Sequence, residues 1–226
     1  MRRRAEARSD PRVLPRRLTG SGGRVRRPGT RQRWWCRGVP GYRATVIIWL
    51  NGGFAAGKTT LARELHRRLP DALVYDPEDV GLMLWKWMTP NDDFQDLPSW
   101  RELVVATALS LRRHHAHTLI VPMSLVRDAY RAEILGGLAD AGEDVLHVFL
   151  EADADVLEER LRARAPVSGD PESRQSVLDW ALSRMDPAAA ARQPDGTVVL
   201  RSDRLTPAEL ADEVLAAGRR HFDSTQ

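Results

Sequence analysis

The chain has 226 residues, of which 42% are hydrophobic and 29% are charged. This length and composition fit one globular domain and exclude a large multidomain protein. The mean hydropathy is −0.40 and the longest apolar run, Val46–Leu50, is strand-sized, which excludes a membrane-spanning helix of about 20 residues. Cys36 is the single cysteine, so an internal disulfide framework and a zinc–cysteine centre are excluded as well.

Positive charge is concentrated at the N-terminus. Residues 1–45 contain 14 arginines against two acidic residues, a net charge of +12, whereas 20 basic and 29 acidic residues give the remainder −9. Because residues 1–45 are rich in Arg, Gly and Pro and have no apolar period, we expect a disordered extension, with the folded domain at 46–226. The basic start is not followed by the apolar segment of a secretory signal, so we expect a cytoplasmic protein.

The extension has two interpretations. It is either a basic arm for RNA, DNA or anionic lipid, or a segment without a selected role that precedes a true start at Val46. We favour the second, because only two of the 34 basic residues outside histidine are lysines, which indicates a GC-rich coding sequence in which long spurious frames are common. We therefore expect no nucleic-acid partner.

From Thr45 onward short β-branched runs alternate with helical stretches, the pattern of βαβ units. The sequence predicts a three-layer α/β fold with a five-stranded parallel sheet buried on both faces. The predicted strands are 46–50, 72–75, 118–122, 145–150 and 197–200. The predicted helices are about 58–69, 77–88, 98–115, 127–141, 153–165, 172–185 and 206–221.

The last predicted helix has a clear start. Thr206 as N-cap, Pro207 at the first helical position and Glu209 three residues after the cap form a capping box. Its apolar side can dock on the sheet or lie in a membrane interface, and we favour docking, so at most a peripheral membrane contact is expected. This side consists of Leu210, Val214, Leu215 and Phe222.

The segment at 52–59, GGFAAGKT, matches G-x-x-x-x-G-K-[ST] between the first predicted strand and helix. Its glycines let successive backbone N–H groups point inward at the start of a helix, which predicts a P-loop that binds ATP with Mg²⁺. Lys58 would bridge the β- and γ-phosphates, the Thr59 hydroxyl would ligand Mg²⁺, and Thr60 would touch the α-phosphate. The candidate nucleotide-binding residues are Gly52, Gly53, Phe54, Ala55, Ala56, Gly57, Lys58, Thr59 and Thr60.

A second metal-binding carboxylate is missing from its usual place. The strand at 118–122 continues into Met123 and Ser124 without an acidic residue. We therefore choose Asp76, which follows the second strand at the carboxyl edge where ligands of open α/β sheets bind. Asp76 would order a Mg²⁺-bound water or accept the proton of a substrate hydroxyl. It is also suited to cap a helix that begins at Pro77.

Several segments together resemble tunicamycin-resistance proteins, a small P-loop family. The resemblance covers about residues 46–215, and it implies a cytoplasmic ATP-binding protein similar to small-molecule and nucleotide kinases that protects cells from tunicamycin, a nucleoside antibiotic. Members usually begin at the first strand, which agrees with an extension at 1–45. The segments are 47–59, 64–69, 74–78, Asp92-Asp93-Phe94-Gln95 with Trp100-Arg101, 119–123 and Ser202-Asp203.

The insertion between the second and third strands is the candidate acceptor side. Aromatic faces there can stack a base or a sugar, and carboxylates can hold hydroxyls. The alternatives are ordinary helix packing for the tryptophans and a solvated turn after Pro90-Asn91 for the aspartates, although the resemblance favours function for Asp92 and Asp93. The candidate substrate residues are Asp92, Asp93, Trp100, Arg101 and Arg127.

Arg160 and Arg164 are four residues apart in the predicted helix 153–165, and like charges at this spacing repel unless an anion lies between them. This spacing suits a lid that closes over ATP phosphates, although two solvated arginines would give the same pattern. Together with Lys58 and Asp76 they are the candidate catalytic residues.

These features predict a nucleoside- and shikimate-kinase-like P-loop domain that transfers a phosphoryl group from ATP to tunicamycin or a related nucleoside-sugar. Two alternatives stay open. One is a protein that sequesters the antibiotic with ATP as a structural ligand, and the other is a nucleic-acid-associated ATPase that uses the basic extension.

Overall fold

The computed structural model describes residues 46–125, 127–163, 179–183 and 193–223, and the side chains of residues 222 and 223 are outside this description. The predicted extension at 1–45 and most of the predicted helix at 172–185 therefore lie outside the described residues, although 179–183 are helical.

The described strands and helices alternate along the chain as predicted. The strands are β1 Val46–Gly52, β2 Leu73–Val74, β3 Thr118–Pro122, β4 Val145–Glu151 and β5 Val198–Arg201. The helices are α1 Lys58–Arg68, α2 Glu78–Leu84, a short 3-10 helix Phe94–Asp96, α3 Pro98–His114, α4 Asp128–Asp140, α5 Ala154–Ala163 and α6 Pro207–Asp223.

The five strands form one sheet in the order β2-β3-β1-β4-β5, and every neighbouring pair is parallel. The predicted five-stranded parallel sheet is confirmed. Because β1 lies in the middle, its carboxyl end, and the loop that follows it, is flanked by the ends of β3 and β4. Any ligand of that loop is therefore reached by residues from both halves of the sheet.

The side chains of β1 alternate between two cores, as a strand covered on both faces requires. Ile48 and Leu50 pack in the core beneath α1 and α6, and Ile47 and Trp49 pack in the core beneath α3 and α4. All of them are fully buried. The helices thus form one layer on each face, which gives the predicted three layers.

The start and the docking of α6 are confirmed. Glu209 Oε2 accepts from the Thr206 backbone N–H and from its hydroxyl, both at 2.8 Å, and Glu209 N donates to Thr206 Oγ1 at 3.3 Å. Leu210, Val214 and Leu215 are buried in the core, so this helix docks on the sheet rather than in a membrane interface. Among the described residues, no helix has the length and apolar character needed to cross a membrane.

Two predicted elements are shorter in the structure. Strand β2 is an edge strand that pairs with β3 through two residues, although Tyr75 N still donates to Ile120 O at 2.9 Å. Helix α2 ends at Leu84 instead of residue 88. Beyond it, Lys86 N bonds to Met83 O and Trp87 N to Leu84 O, so the chain tightens into i to i+3 bonds before Met88 N bonds to Leu84 O.

Candidate nucleotide and acceptor site

The loop between β1 and α1 is an open cradle. Gly52, Ala55 and Gly57 have positive φ angles of 138°, 60° and 96°, so the loop turns tightly, as the backbone of an anion-binding loop does. A Cβ at Gly52 would lie 2.6 Å from the Leu150 carbonyl oxygen, so no side chain fits there. A Cβ at Gly57 would meet no described atom within 4 Å, so the cradle is open where the 11-residue helix α1 begins. Open space, a tightly turned loop and a helix N-terminus fit a polyphosphate.

Lys58 is folded back over this loop. Its Nζ donates to the carbonyl oxygens of Gly52 at 3.1 Å and Gly53 at 2.8 Å. Thr59 and Thr60 follow in the first turn of α1, and both are exposed. The predicted nucleotide-binding residues therefore lie together, with the ammonium group held at the cradle.

A buried asparagine, which no motif in the sequence indicated, fixes the position of the start of the loop. Asn51 is 1% exposed, and its Oδ1 accepts from the backbone N–H groups of Gly52 and Leu125, both at 2.8 Å. Its Nδ2 donates to Leu125 O at 3.4 Å. Asn51 thus joins the end of β1 to the segment that follows β3.

Ser124 makes a second connection of the same kind. Its hydroxyl donates to Gly52 O at 2.9 Å, the carbonyl that also accepts from Lys58. Trp49 Nε1 donates to Met123 O at 3.2 Å. The segment where a metal-binding carboxylate was missing therefore holds the phosphate loop in place. The sequence signal for these bonds was a polar residue after each of two apolar strands, Asn51 after 46–50 and Ser124 after 118–122.

The polar chain continues to His147 on β4. Its Nε2 lies 3.4 Å from Asn51 Nδ2, and its Nδ1 lies 3.0 Å from Thr197 Oγ1. Burial, with a smaller contribution from the Arg131 charge, lowers the pKa of His147 to about 4. The imidazole is therefore neutral at pH 7. Its Nε2 accepts from the asparagine amide and its Nδ1–H donates to the threonine hydroxyl.

Asp76 lies after β2, on the same edge of the sheet. Its Oδ1 accepts from Glu78 N at 3.0 Å, so Asp76 bonds to the first residue of α2, which begins at Glu78 rather than at Pro77. Burial raises the pKa of Asp76 and the neighbouring Asp79 charge raises it further, whereas the bond from Glu78 N and the Lys58 charge lower it. A half-buried carboxylate of raised pKa thus lies within electrostatic reach of the loop lysine.

The acceptor-side aspartates and tryptophan occupy different environments. Asp92 is exposed, whereas Asp93 is buried and its Oδ1 accepts from Gln95 N at 2.9 Å, as in a capped turn. Trp100 is fully buried and its Nε1 donates to Pro77 O at 3.0 Å. Its ring is part of the core, so the packing alternative fits Trp100 better than a direct contact with substrate.

Arg101 and Arg127 belong to one cluster at the starts of α3 and α4. Arg101 donates to Gln95 O and to Glu133 Oε2, both at 2.6 Å, and its guanidinium lies 4.3 Å from the centre of the Tyr130 ring. The Arg127 guanidinium lies 5.1 Å from the same ring. Asp96 Oδ1 accepts from the Tyr130 hydroxyl at 2.9 Å and pairs with Arg127 at 2.8 Å. Tyr130, which no motif in the sequence indicated, joins the two arginines.

Of the two candidate lid arginines, the structure describes Arg160 but not Arg164. Arg160 Nη2 donates to Ser202 O at 2.9 Å, so in this structure it ties α5 to the loop after β5. Arg164 lies outside the described residues.

A further contact not foreseen from the sequence joins Phe54 of the phosphate loop to Trp180, with ring centres 5.0 Å apart in an edge arrangement.

A parallel sheet of this order, whose central strand leads into a glycine loop and a helix, defines a P-loop kinase-like protein. The AAA domain family matches residues 47–188. The adenylyl-sulfate kinase of Chloroflexus aurantiacus is 32% identical over 187 residues, which cover 80% of this chain and 93% of that protein.

Two solved structures extend the comparison. The tunicamycin resistance protein of Deinococcus radiodurans superposes with a TM-score of 0.60 and 31% identity, covering 76% of this chain and 94% of its own. A gluconokinase of Sinorhizobium meliloti, with a TM-score of 0.54, 19% identity and coverage of 80% and 95%, shares the fold. The chain belongs to the AAA domain family. The resemblance to tunicamycin resistance proteins that the sequence predicted is confirmed.

Proposed function

We propose that the protein is an ATP-dependent phosphotransferase whose acceptor is a hydroxyl of a nucleoside-containing small molecule, with tunicamycin as the first candidate. One observation carries this proposal. Lys58, held at the phosphate cradle, and Asp76, half-buried with a raised pKa, lie on the same edge of the sheet within electrostatic reach of each other. A cation for transferred charge and a carboxylate for a hydroxyl proton are the two groups that phosphoryl transfer to an alcohol requires.

The proposed site has a phosphate-binding part and a metal-binding part. The backbone of residues 52–60 and the α1 N-terminus would hold the phosphates of ATP. The Thr59 hydroxyl and Asp76 are the candidate ligands for Mg²⁺ or its water. The transferable phosphoryl group is supplied by bound MgATP. Lys58 would offset negative charge at the phosphates, and ionised Asp76 would orient the acceptor hydroxyl and take its proton. Arg160 and Arg164 remain candidates for the lid.

The names of two relatives support a nucleoside acceptor. Adenylyl sulfate and tunicamycin both contain a nucleoside, and the relatives named after them are 32% and 31% identical to this chain. Asp92, Asp93, Arg101 and Arg127 are proposed for the acceptor side, with Trp100 supporting them from the core. We also propose that the enzyme works in the cytoplasm, where ATP is available.

The test is mass spectrometry of tunicamycin incubated with the purified protein and MgATP, with adenylyl sulfate as a parallel acceptor. The wild type should add one phosphoryl group to the acceptor, and Lys58→Ala should abolish the product. Lys86→Ala is the matched control, since Lys86 is exposed and is the other lysine of the chain. Equal phosphorylation by the wild type and Lys58→Ala would refute the proposal.

The same experiment separates the alternatives. Tunicamycin that co-purifies with the protein without any change of mass would indicate sequestration. ATP hydrolysis that requires a nucleic acid would indicate the nucleic-acid-associated ATPase, and the affinity of the protein for the nucleic acid should then fall steeply with salt concentration.

A further inference from the structure

Gln95, in the 3-10 helix Phe94–Asp96, carries an unexplained buried oxygen. The residue is 4% exposed, and its side-chain Oε1 has no hydrogen-bond partner among the residues that the structure describes. Buried polar atoms are almost always paired, because an unpaired one has lost its bonds to water without replacement. An acceptor oxygen of this kind is explained when a ligand supplies the donor.

The backbone of Gln95 is held firmly, so its position is defined. Its N–H donates to Asp93 Oδ1 at 2.9 Å, and its carbonyl oxygen accepts from Arg101 Nη1 at 2.6 Å. The preceding Phe94 packs between Trp85 and Trp100, with ring centres 5.5 and 5.2 Å away. The carboxamide is therefore presented from a rigid turn, as a recognition residue requires.

The topology places this turn on the acceptor side of the cradle. Helix α3 runs into β3 and α4 runs out of it, so the N-terminus of each helix lies at the carboxyl edge of the sheet, and the turn of Gln95 directly precedes α3. The Trp100 indole, which packs on Phe94, donates to the carbonyl of Pro77, the residue after Asp76. The buried Trp100 side chain thus joins Phe94, the neighbour of Gln95, to Pro77, the neighbour of the proposed general base.

We propose that Gln95 selects the acceptor by binding the amide edge of a pyrimidine base. This inference rests on the proposed nucleoside acceptor. A carboxamide presents an acceptor oxygen beside an N–H donor, and uracil presents the complementary N3–H beside a carbonyl oxygen, so the two groups pair in the plane. Adenine also offers a donor and an acceptor to a carboxamide, so uridine binding no tighter than adenosine binding would overturn the choice of a pyrimidine. A sugar hydroxyl would satisfy the oxygen alone, whereas the base edge satisfies both groups of the carboxamide.

The test is calorimetric binding of uridine and 3-methyluridine to the full-length protein, because the methyl group removes the N3–H donor and leaves the rest of the nucleoside. Wild type should bind uridine at least about tenfold more tightly than 3-methyluridine, the effect of one lost hydrogen bond to a buried partner. Gln95→Met, of similar length and without a polar group, should bind the two within about twofold. Gln193→Met changes another glutamine with a buried Oε1, five residues before β5, and should keep the wild-type preference.

The outcomes separate this inference from the proposed function. A preference that persists in Gln95→Met, or no preference in the wild type, would overturn the inference. A clearly lower melting temperature of ligand-free Gln95→Met would overturn it too, since that result would assign Gln95 a structural bond. If Lys58→Ala keeps the uridine preference and the wild type yields no phosphorylated product with MgATP, the inference stands and the proposed function fails.

Discussion

Asp76 is the residue whose ionisation we expect to set the acid side of the pH profile. Its pKa is raised, first by burial and then by Asp79, and a carboxylate that takes a proton must be ionised. Activity should therefore fall as the pH drops through this raised pKa.

Replacing Asp79 by asparagine tests that assignment. The substitution removes a negative charge that disfavours ionisation of Asp76, so the pKa of Asp76 should fall and the acid limb of kcat/KM should move to lower pH. The measurement is the pH dependence of kcat/KM for the phosphorylated acceptor. Asp140→Asn, at the exposed end of α4, is the control and should leave the limb in place. An unmoved limb in Asp79→Asn would mean that another group controls it.

His147 makes stability depend on pH in a defined window. The ordinary histidine pKa of 6.5 applies to the unfolded chain, and burial lowers the folded value to about 4. The unfolded state therefore binds a proton first, and stability present above pH 6.5 is lost as the pH falls towards 4, on the order of 3 kcal/mol.

The measurement is urea unfolding of the wild type and His147→Gln between pH 7 and 4. The variant lacks the titrating group, so the loss of stability across this window should be smaller than in wild type by about that amount. His66→Gln changes an exposed histidine of α1 and should keep the wild-type slope. The same slope in all three proteins would contradict the assignment.

At the level of elements, hydrogen bonds join the end of β1 to the segment after β3, where the sequence has no acidic residue. Asn51→Leu would leave the buried N–H groups of Gly52 and Leu125 without the oxygen that now accepts both. Each such loss costs about 1–3 kcal/mol, so unfolding free energy should fall by more than about 2 kcal/mol.

Ser124→Ala should have a milder and more local effect. It removes one hydrogen bond to Gly52 O, so stability should fall by about 1 kcal/mol while the affinity for ATP and kcat fall together, because Lys58 shares that carbonyl. Calorimetric ATP binding and steady-state kinetics measure the two quantities. Ser110→Ala, at an exposed position of α3, should change neither. Reduced stability with unchanged ATP affinity would show that the bond supports the fold alone.

The sequence was sufficient for features that are encoded locally. Strand β3 at 118–122 coincides with its prediction, and the capping box of Thr206 and Glu209 forms as its spacing requires. The early end of α2 was missed because helical periodicity continues through Trp87 into a turn. The bonds of Asn51 to Leu125 join residues that are distant in the chain, and only strand order brings them together. The unpaired side-chain oxygen of Gln95 could not be predicted, because the sequence does not show that this glutamine is buried.

For the whole molecule, charge divides the chain at residue 45. The protein without residues 1–45 should carry a net charge of −9 in place of +3 and should keep kcat/KM within about twofold, because every proposed site residue lies beyond that point. Kinetics and DNA binding at two salt concentrations, for both forms of the protein, test this expectation. Salt-sensitive DNA binding that stimulates ATP hydrolysis and disappears with the deletion would instead support the nucleic-acid alternative.

The strand order has a consequence for how the protein is made. Strand β1 is the first of the described strands to leave the ribosome, yet its two neighbours are β3 at 118–122 and β4 at 145–151. The phosphate loop and its lysine are therefore synthesised long before the strands that hold them, and such distant pairings form slowly. Nascent chains that end before β3 should not retain ATP, and chains that extend beyond β4 should begin to do so. Stalled ribosome complexes of graded length would show the point at which the nucleotide site assembles.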